Sequence, residues 1–198
     1  MNFEFSDEQI AMKDEVRKLL DKENSLKRNR TILEGEEKFD KDLWNSLVSM
    51  GLTAVTIPEE FGGIGMGYLE LCVIAEELGR AIAPVPYSSS VYLATTAILN
   101  CASDEIKKEF LPKLASGEII GTFAHAESSG FPLEKSINCN FASGKISGTK
   151  AAVPDADIAD FAIVSAKSSS GVGLYLVDLK DPNIEITVSY THLRAHET

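Results

Sequence analysis

Basic residues are in short supply in this 198-residue chain. Nineteen Lys and Arg stand against thirty Asp and Glu, a formal net charge of -11. A chain of that sign is repelled by nucleic acid and by anionic membranes, so neither is expected as a non-specific partner. A local basic pocket for an anionic ligand stays compatible with it. Cysteine is scarce as well. Cys72, Cys101 and Cys139 are odd in number, far apart and without a CxxC pair. That excludes a disulfide framework or a metal knuckle and reads as buried free thiols in a reducing compartment. No apolar window is long enough to span a bilayer. The N-terminal Met1-Asn2-Phe3-Glu4-Phe5-Ser6-Asp7-Glu8 is acidic and lacks the layout of a signal or transit peptide. A cytoplasmic protein is the expectation.

Histidine is equally sparse: His125, His192 and His196. His125-Ala126-Glu127 has the His-x-Glu of zinc deaminases, but no Pro-Cys-x-x-Cys follows to complete the ligands. A packed or capping histidine is the better reading. His192 and His196 have metal-pair spacing without a third ligand. No Ser/His/Asp or Cys/His set has convincing context.

What is present is a change of hydrophobic period. Ser6 and Gln9 form a capping box, and Met12, Val16, Leu19 and Leu20 then share a helical face. Residues 24–38 are polar and charged and read as a solvated loop or frayed helix. Asp40 caps a helix carrying Leu43, Trp44, Leu47 and Val48, which stops at Gly51. Residues 58–67 hold four glycines and a proline. They lack the Lys-Ser/Thr of a phosphate loop, so a tight loop using positive φ is expected. The next helix turns Leu71, Ile74, Ala75 and Leu78 inward and Glu70, Glu76, Glu77 and Arg80 outward. Two helices follow over 88–100 and 104–116, the second capped by Ser103 and stopped by Gly117.

After Gly117 the period becomes two. Strands are expected over 119–126, around Ile137, Cys139 and Phe141, and over 146–150, 161–166, 172–177 and 184–188, with a hairpin across residues 168–171. The fold class is therefore α+β: an all-helical domain over 1–117 and a partial antiparallel β-domain over 118–188. Residues 189–198 break the pattern and resemble a translated cloning scar.

The order of several segments resembles the acyl-CoA dehydrogenase family. They are Phe5-Ser6-Asp7-Glu8-Gln9, Leu43-Trp44, Met50-Gly51-Leu52, Pro58-Glu59-Glu60-Phe61-Gly62-Gly63, and Glu76-Glu77-Leu78-Gly79-Arg80 with Pro84 and Pro86. Residues 107–118, Ala126-Glu127, Ser147-Gly148-Thr149-Lys150 and 156–160 continue the series. The resemblance covers residues 3–188. It implies an N-terminal helical domain, a middle β-domain and a C-terminal four-helix bundle, with FAD between the last two and partly in a neighbouring subunit.

It also implies α,β-dehydrogenation of an acyl-CoA thioester, an oxidoreductase acting on CH–CH. A carboxylate in the bundle takes the α proton and the flavin takes the β hydride. Electron-transfer flavoprotein is the implied acceptor, and a homo- or hetero-oligomer the implied assembly. The chain ends before the bundle, so no residue here is assigned a catalytic role, and the chain alone is expected to be inactive and to hold FAD weakly. The implied flavin-contact residues are Phe123, His125, Ala126, Glu127 and Ser128 on one segment and Ala152, Val153 and Pro154 on another. Here the sequence departs from the family: Ala126 replaces a Thr, Ala152 a Trp and Pro154 a Thr. A non-catalytic partner subunit of a hetero-oligomer is the alternative that these replacements favour.

Overall fold

The computed structural model describes residues 4–128 and 134–187. The chain forms two compact units, one reaching to Gly121 and the other starting at Thr122. The expected scar at 189–198 lies outside the described residues.

The first unit is helical: α1 (Asp7–Glu23), α2 (Leu26–Glu34), α3 (Lys41–Ser49), α4 (Tyr68–Ala81), α5 (Thr96–Cys101) and α6 (Asp104–Ala115). Helix α1 starts with the capping box read from the sequence. Gln9 N donates to Ser6 Oγ at 3.2 Å, and Ser6 N donates to Gln9 Oε1 at 3.0 Å. The core is drawn from the apolar stripes: Val16 and Leu20, then Leu43, Trp44 and Leu47, then Leu71, Val73, Ile74 and Leu78, then Leu111 and Leu114. Gly117 ends α6 at φ 65 and lies so close to α3 that a Cβ would meet Val48 Cγ2 at 2.4 Å.

Four features of this unit differ from the sequence reading. Residues 24–38 contain a genuine helix, α2, with Ser25 Oγ accepting from Arg28 N at 3.1 Å. Its single buried apolar residue, Ile32, gives no periodic signal. The helix predicted over 88–100 begins with a π-helical run, Ser88–Thr95, in which Thr95 Oγ1 donates to Ser90 O five residues back, at 2.9 Å. Two of the three cysteines, Cys72 and Cys101, are exposed, and only Cys139 is buried. Glu77, read as outward, is fully buried.

Glu77 is buried because α1 supplies its counter-charge. Arg17 reaches its carboxylate at 2.6 and 2.9 Å, and Arg80 joins from the next turn at 2.7 Å. Arg80 also holds Asp21, and Lys13 holds Glu76. The Arg17 guanidinium foremost, with Arg80 beside it, outweighs burial and holds the Glu77 carboxyl at about 2.

The second unit is a small mixed sheet: β1 (Gly121–Ala124), β2 (Asn140–Ala142), β3 (Lys145–Ser147), β4 (Phe161–Ser168) and β5 (Gly171–Asp178). Strand β4 is central. It pairs antiparallel with β5 over its whole length, from Phe161 opposite Asp178 to Ser168 opposite Gly171. Strands β1 and β2 also join β4, and β3 pairs antiparallel with β2. The hairpins are antiparallel as expected. The β2–β4 join is parallel, however, at Asn140 opposite Lys167. Burial follows position, since β4 is buried from Phe161 to Ala166. The strand expected over 184–188 does not form in its described part, 184–187. Ile184 N is spent on a turn bond to Asp181 O, and Ile186 is exposed.

Among the described residues, no helix is long and apolar enough to cross a membrane.

Candidate functional site

The two segments singled out in the sequence come together at the end of β1. Ala151 N donates to Ala126 O at 2.8 Å, which lays residues 151–154 beside residues 123–127. Thr122, fully buried, donates its hydroxyl to Pro154 O. Val153 packs against the cluster of Ala124, Ala162 and Val164. Phe123, His125, Ala126 and Pro154 are half-buried, while Ser128 and Ala152 are exposed. Ala152 sits at φ 51, in the left-handed region that a residue with a Cβ seldom adopts.

A charged pair underlies this surface. Lys150 and Glu127 meet at 2.7 Å with side chains only 8% and 10% exposed. Glu127 accepts in addition from Asn138 N at 2.6 Å and Cys139 N at 2.9 Å. Burial pushes the Glu127 carboxyl up, but the Lys150 ammonium and those two backbone donors outweigh it and hold it at about 2. Lys150 Nζ also donates to His125 O and Ser165 Oγ, both at 3.1 Å. The ammonium therefore spends its three N–H groups on named acceptors. The pair ties the end of β1 to the start of β2 and to β4.

Lys150, Ser165 and Thr122 were not singled out as site residues from the sequence. Lys150 belonged to the Gly-x-Lys element that carried the resemblance. A lysine flanked by strand signals, paired with a lone glutamate upstream, was the available sign. Ser165 and Thr122 carry no such mark, because a buried hydroxyl on a strand is common.

A helical unit followed by a small mixed-sheet unit matches the N-terminal and middle domains of the acyl-CoA dehydrogenase type. The sequence pattern of the acyl-CoA dehydrogenase N-terminal domain matches residues 6–118. The chain belongs to the acyl-CoA dehydrogenase family. Acyl-CoA dehydrogenase FadE27 of Mycobacterium tuberculosis is 32% identical over 157 residues, which is 79% of this chain and 42% of that protein. The ChsE4–ChsE5 complex from Mycobacterium tuberculosis superposes with a TM-score of 0.84 at 28% identity, over 94% of this chain and 51% of that one. A glutaryl-CoA dehydrogenase from Mycobacterium smegmatis, solved in complex with FADH2, shares the fold with a TM-score of 0.77 at 22% identity, over 90% of this chain and 47% of that one. The chain thus spans about half the length of these relatives.

The resemblance implies a flavin ring against residues 151–154, flanked by a flat side chain and by a hydroxyl donor for the charge that develops on its reduction. Ala152 has no ring. Pro154 has neither hydroxyl nor N–H, and its carbonyl is already engaged by Thr122. At these two positions the side chains present do not fit the group.

Proposed function

We propose that this chain works within a flavin-dependent acyl-CoA dehydrogenase assembly as its non-catalytic, structural subunit. The assembly's reaction is removal of the α and β hydrogens of an acyl-CoA thioester, with the β hydride passing to FAD and electrons leaving through an electron-transfer flavoprotein. The observation that carries the reading is Pro154. By resemblance it aligns with the family's side-chain donor to the reduced flavin, it cannot donate, and its one polar backbone atom is bonded to Thr122. Ala152 compounds the loss, because it leaves no aromatic face. The likeness to a complex of ChsE4 with ChsE5 supports a hetero-oligomer.

The second reading is an active flavin subunit for an unusual acyl group. It draws on the bond from Ala151 to Ala126, which keeps the two segments adjacent. Titration with FAD of this chain assembled with its partner subunit, followed by quenching of flavin fluorescence, separates the two. One saturable site for every two subunits is expected, because Ala152 and Pro154 leave this chain's own position without an aromatic face or a side-chain donor. Stoichiometric, saturable binding by this chain would support the second reading.

A further inference from the structure

Helices α1 and α4 lie side by side and point the same way. Their contacts run in order: Gln9 to Glu70, Lys13 to Glu76, Arg17 to Glu77, Asp21 to Arg80, and Asn24 to the Ala81 carbonyl. The helical unit therefore has two ends, about 22 Å apart along this pair at the helical rise per residue. Where both helices begin, Ile64, Met66 and Leu69 are exposed, and so are Asp7, Glu59 and Glu60. Where both helices stop, Leu26, Leu33 and Ile82 are 72%, 71% and 66% exposed. Leu26 and Leu33 lie three residues before and four after Asn29 on α2, and the Asn29 amide donates to Ile82 O at 2.9 Å, so the three apolar residues share one face. Lys22, Lys27 and Arg30 are exposed beside them, in a stretch, 22–30, that holds four basic residues and one acidic. Ile82 also sits at φ 51, a conformation that a β-branched residue adopts at a cost glycine does not incur. Its exposed side chain gains nothing within its own unit to offset that cost.

We propose that these two ends recognise each other between copies of this chain, so that helical units join head to tail. The occupant of each end is the opposite end of a second copy. Both ends are apolar, and burying them supplies the attraction. Their rims carry opposite charge, which sets the orientation. Joining like ends would bring Lys22, Lys27 and Arg30 against themselves, so a two-fold symmetric pairing is disfavoured. The net charge of -11 opposes association at long range, but screening confines that repulsion to about 8 Å at physiological salt, and at contact the complementary rims decide. Three apolar side chains on each side make a small interface of the weak, transient class. A head-to-tail contact leaves one end unused on each outer copy, so association passes beyond the dimer. The proposal is independent of whether the chain holds flavin.

Sedimentation equilibrium of the full chain at concentrations up to about 1 mM, where weak interfaces are populated, tests it. The average mass is expected to climb from one chain, 21.5 kDa, past two chains. Two double variants each remove one end through exposed side chains: Leu26→Asp with Leu33→Asp, and Met66→Asp with Leu69→Asp. Each alone, with native circular dichroism, should stay monomeric. Their equimolar mixture retains one intact end of each kind and should associate again, but stop at two chains. Either variant still associating by itself, or a mixture that stays monomeric, would overturn the proposal. A monomeric unsubstituted chain at about 1 mM would overturn it whether or not the variants fold. If that monomer then floats with phosphatidylserine vesicles and Lys27→Glu abolishes the flotation, the basic end serves a membrane instead.

Discussion

Gly63→Ala is expected to unfold the glycine loop and destabilise the helical unit by at least about 4 kcal/mol, the range reserved for clashes the structure cannot absorb. A Cβ at position 63 would stand 1.8 Å from the Ile57 carbonyl oxygen and 2.4 Å from its carbon. The obstacle is backbone, so no rotamer change relieves it. The same backbone is stitched by Gly63 N to Pro58 O, Gly65 N to Ile57 O and Met66 N to Val55 O. Moving Ile57 to admit the methyl group breaks that set and disturbs the fully buried Ile57 side chain. Gly62→Ala is the control. Gly62 sits at φ +79 with nothing within 4 Å of the added carbon. Only conformational strain remains there, about 1–2 kcal/mol. Urea unfolding of the two variants should separate them clearly. Equal, small losses would show that the close approach at Gly63 is wrong.

Glu77→Ala is expected to cost about 3 kcal/mol at neutral pH, because it removes the fully buried carboxylate between Arg17 and Arg80. A pH dependence accompanies the loss. The unfolded chain takes up the Glu77 proton near the ordinary 4.5, while the folded chain resists until about 2. Between those values the unfolded state binds more protons, so stability rises with pH. The contribution is complete above about 4.5 and disappears as pH falls toward 2. The interval corresponds to roughly 3 kcal/mol, and screening at guanidinium groups 43% and 41% exposed lowers it to about 2. Urea titrations of the unsubstituted chain and of Glu77→Gln at pH 7, 5 and 3 should converge at the acid end. A constant gap between them would show that the ion pair is not the source.

Much of this fold was legible because period carries it. The stripes through α1, α3 and α4 and the switch to alternation after Gly117 place the helices before the strands. The Gly-rich loop was read correctly as a place for positive φ, with Gly62 and Gly65 both there. The failures have local causes. Helix α2 depends on a Ser25 cap and on Asn29, whose side chain reaches the Ala81 and Ile82 carbonyls, contacts no window of sequence displays. Glu77 looked exposed because a carboxylate on a helix usually is. Its burial is decided by Arg17, sixty residues away. The parallel β2–β4 join is likewise a tertiary event. At the candidate site, the two segments were found through resemblance. The clasp that positions them, Lys150 on Glu127 and Ser165, follows from a topology that brings β1 and β2 to the same central strand.

The central claim is that this chain belongs to an acyl-CoA dehydrogenase assembly without forming a flavin site of its own. Counting flavin against subunits in the purified complex, with this chain and its partner subunit both present, tests it most directly. Pro154 and Ala152 predict one flavin for every two subunits, bleached on addition of an acyl-CoA, and a colourless preparation of this chain by itself. One flavin for every subunit, or a yellow isolated chain bleached by an acyl-CoA, would contradict it.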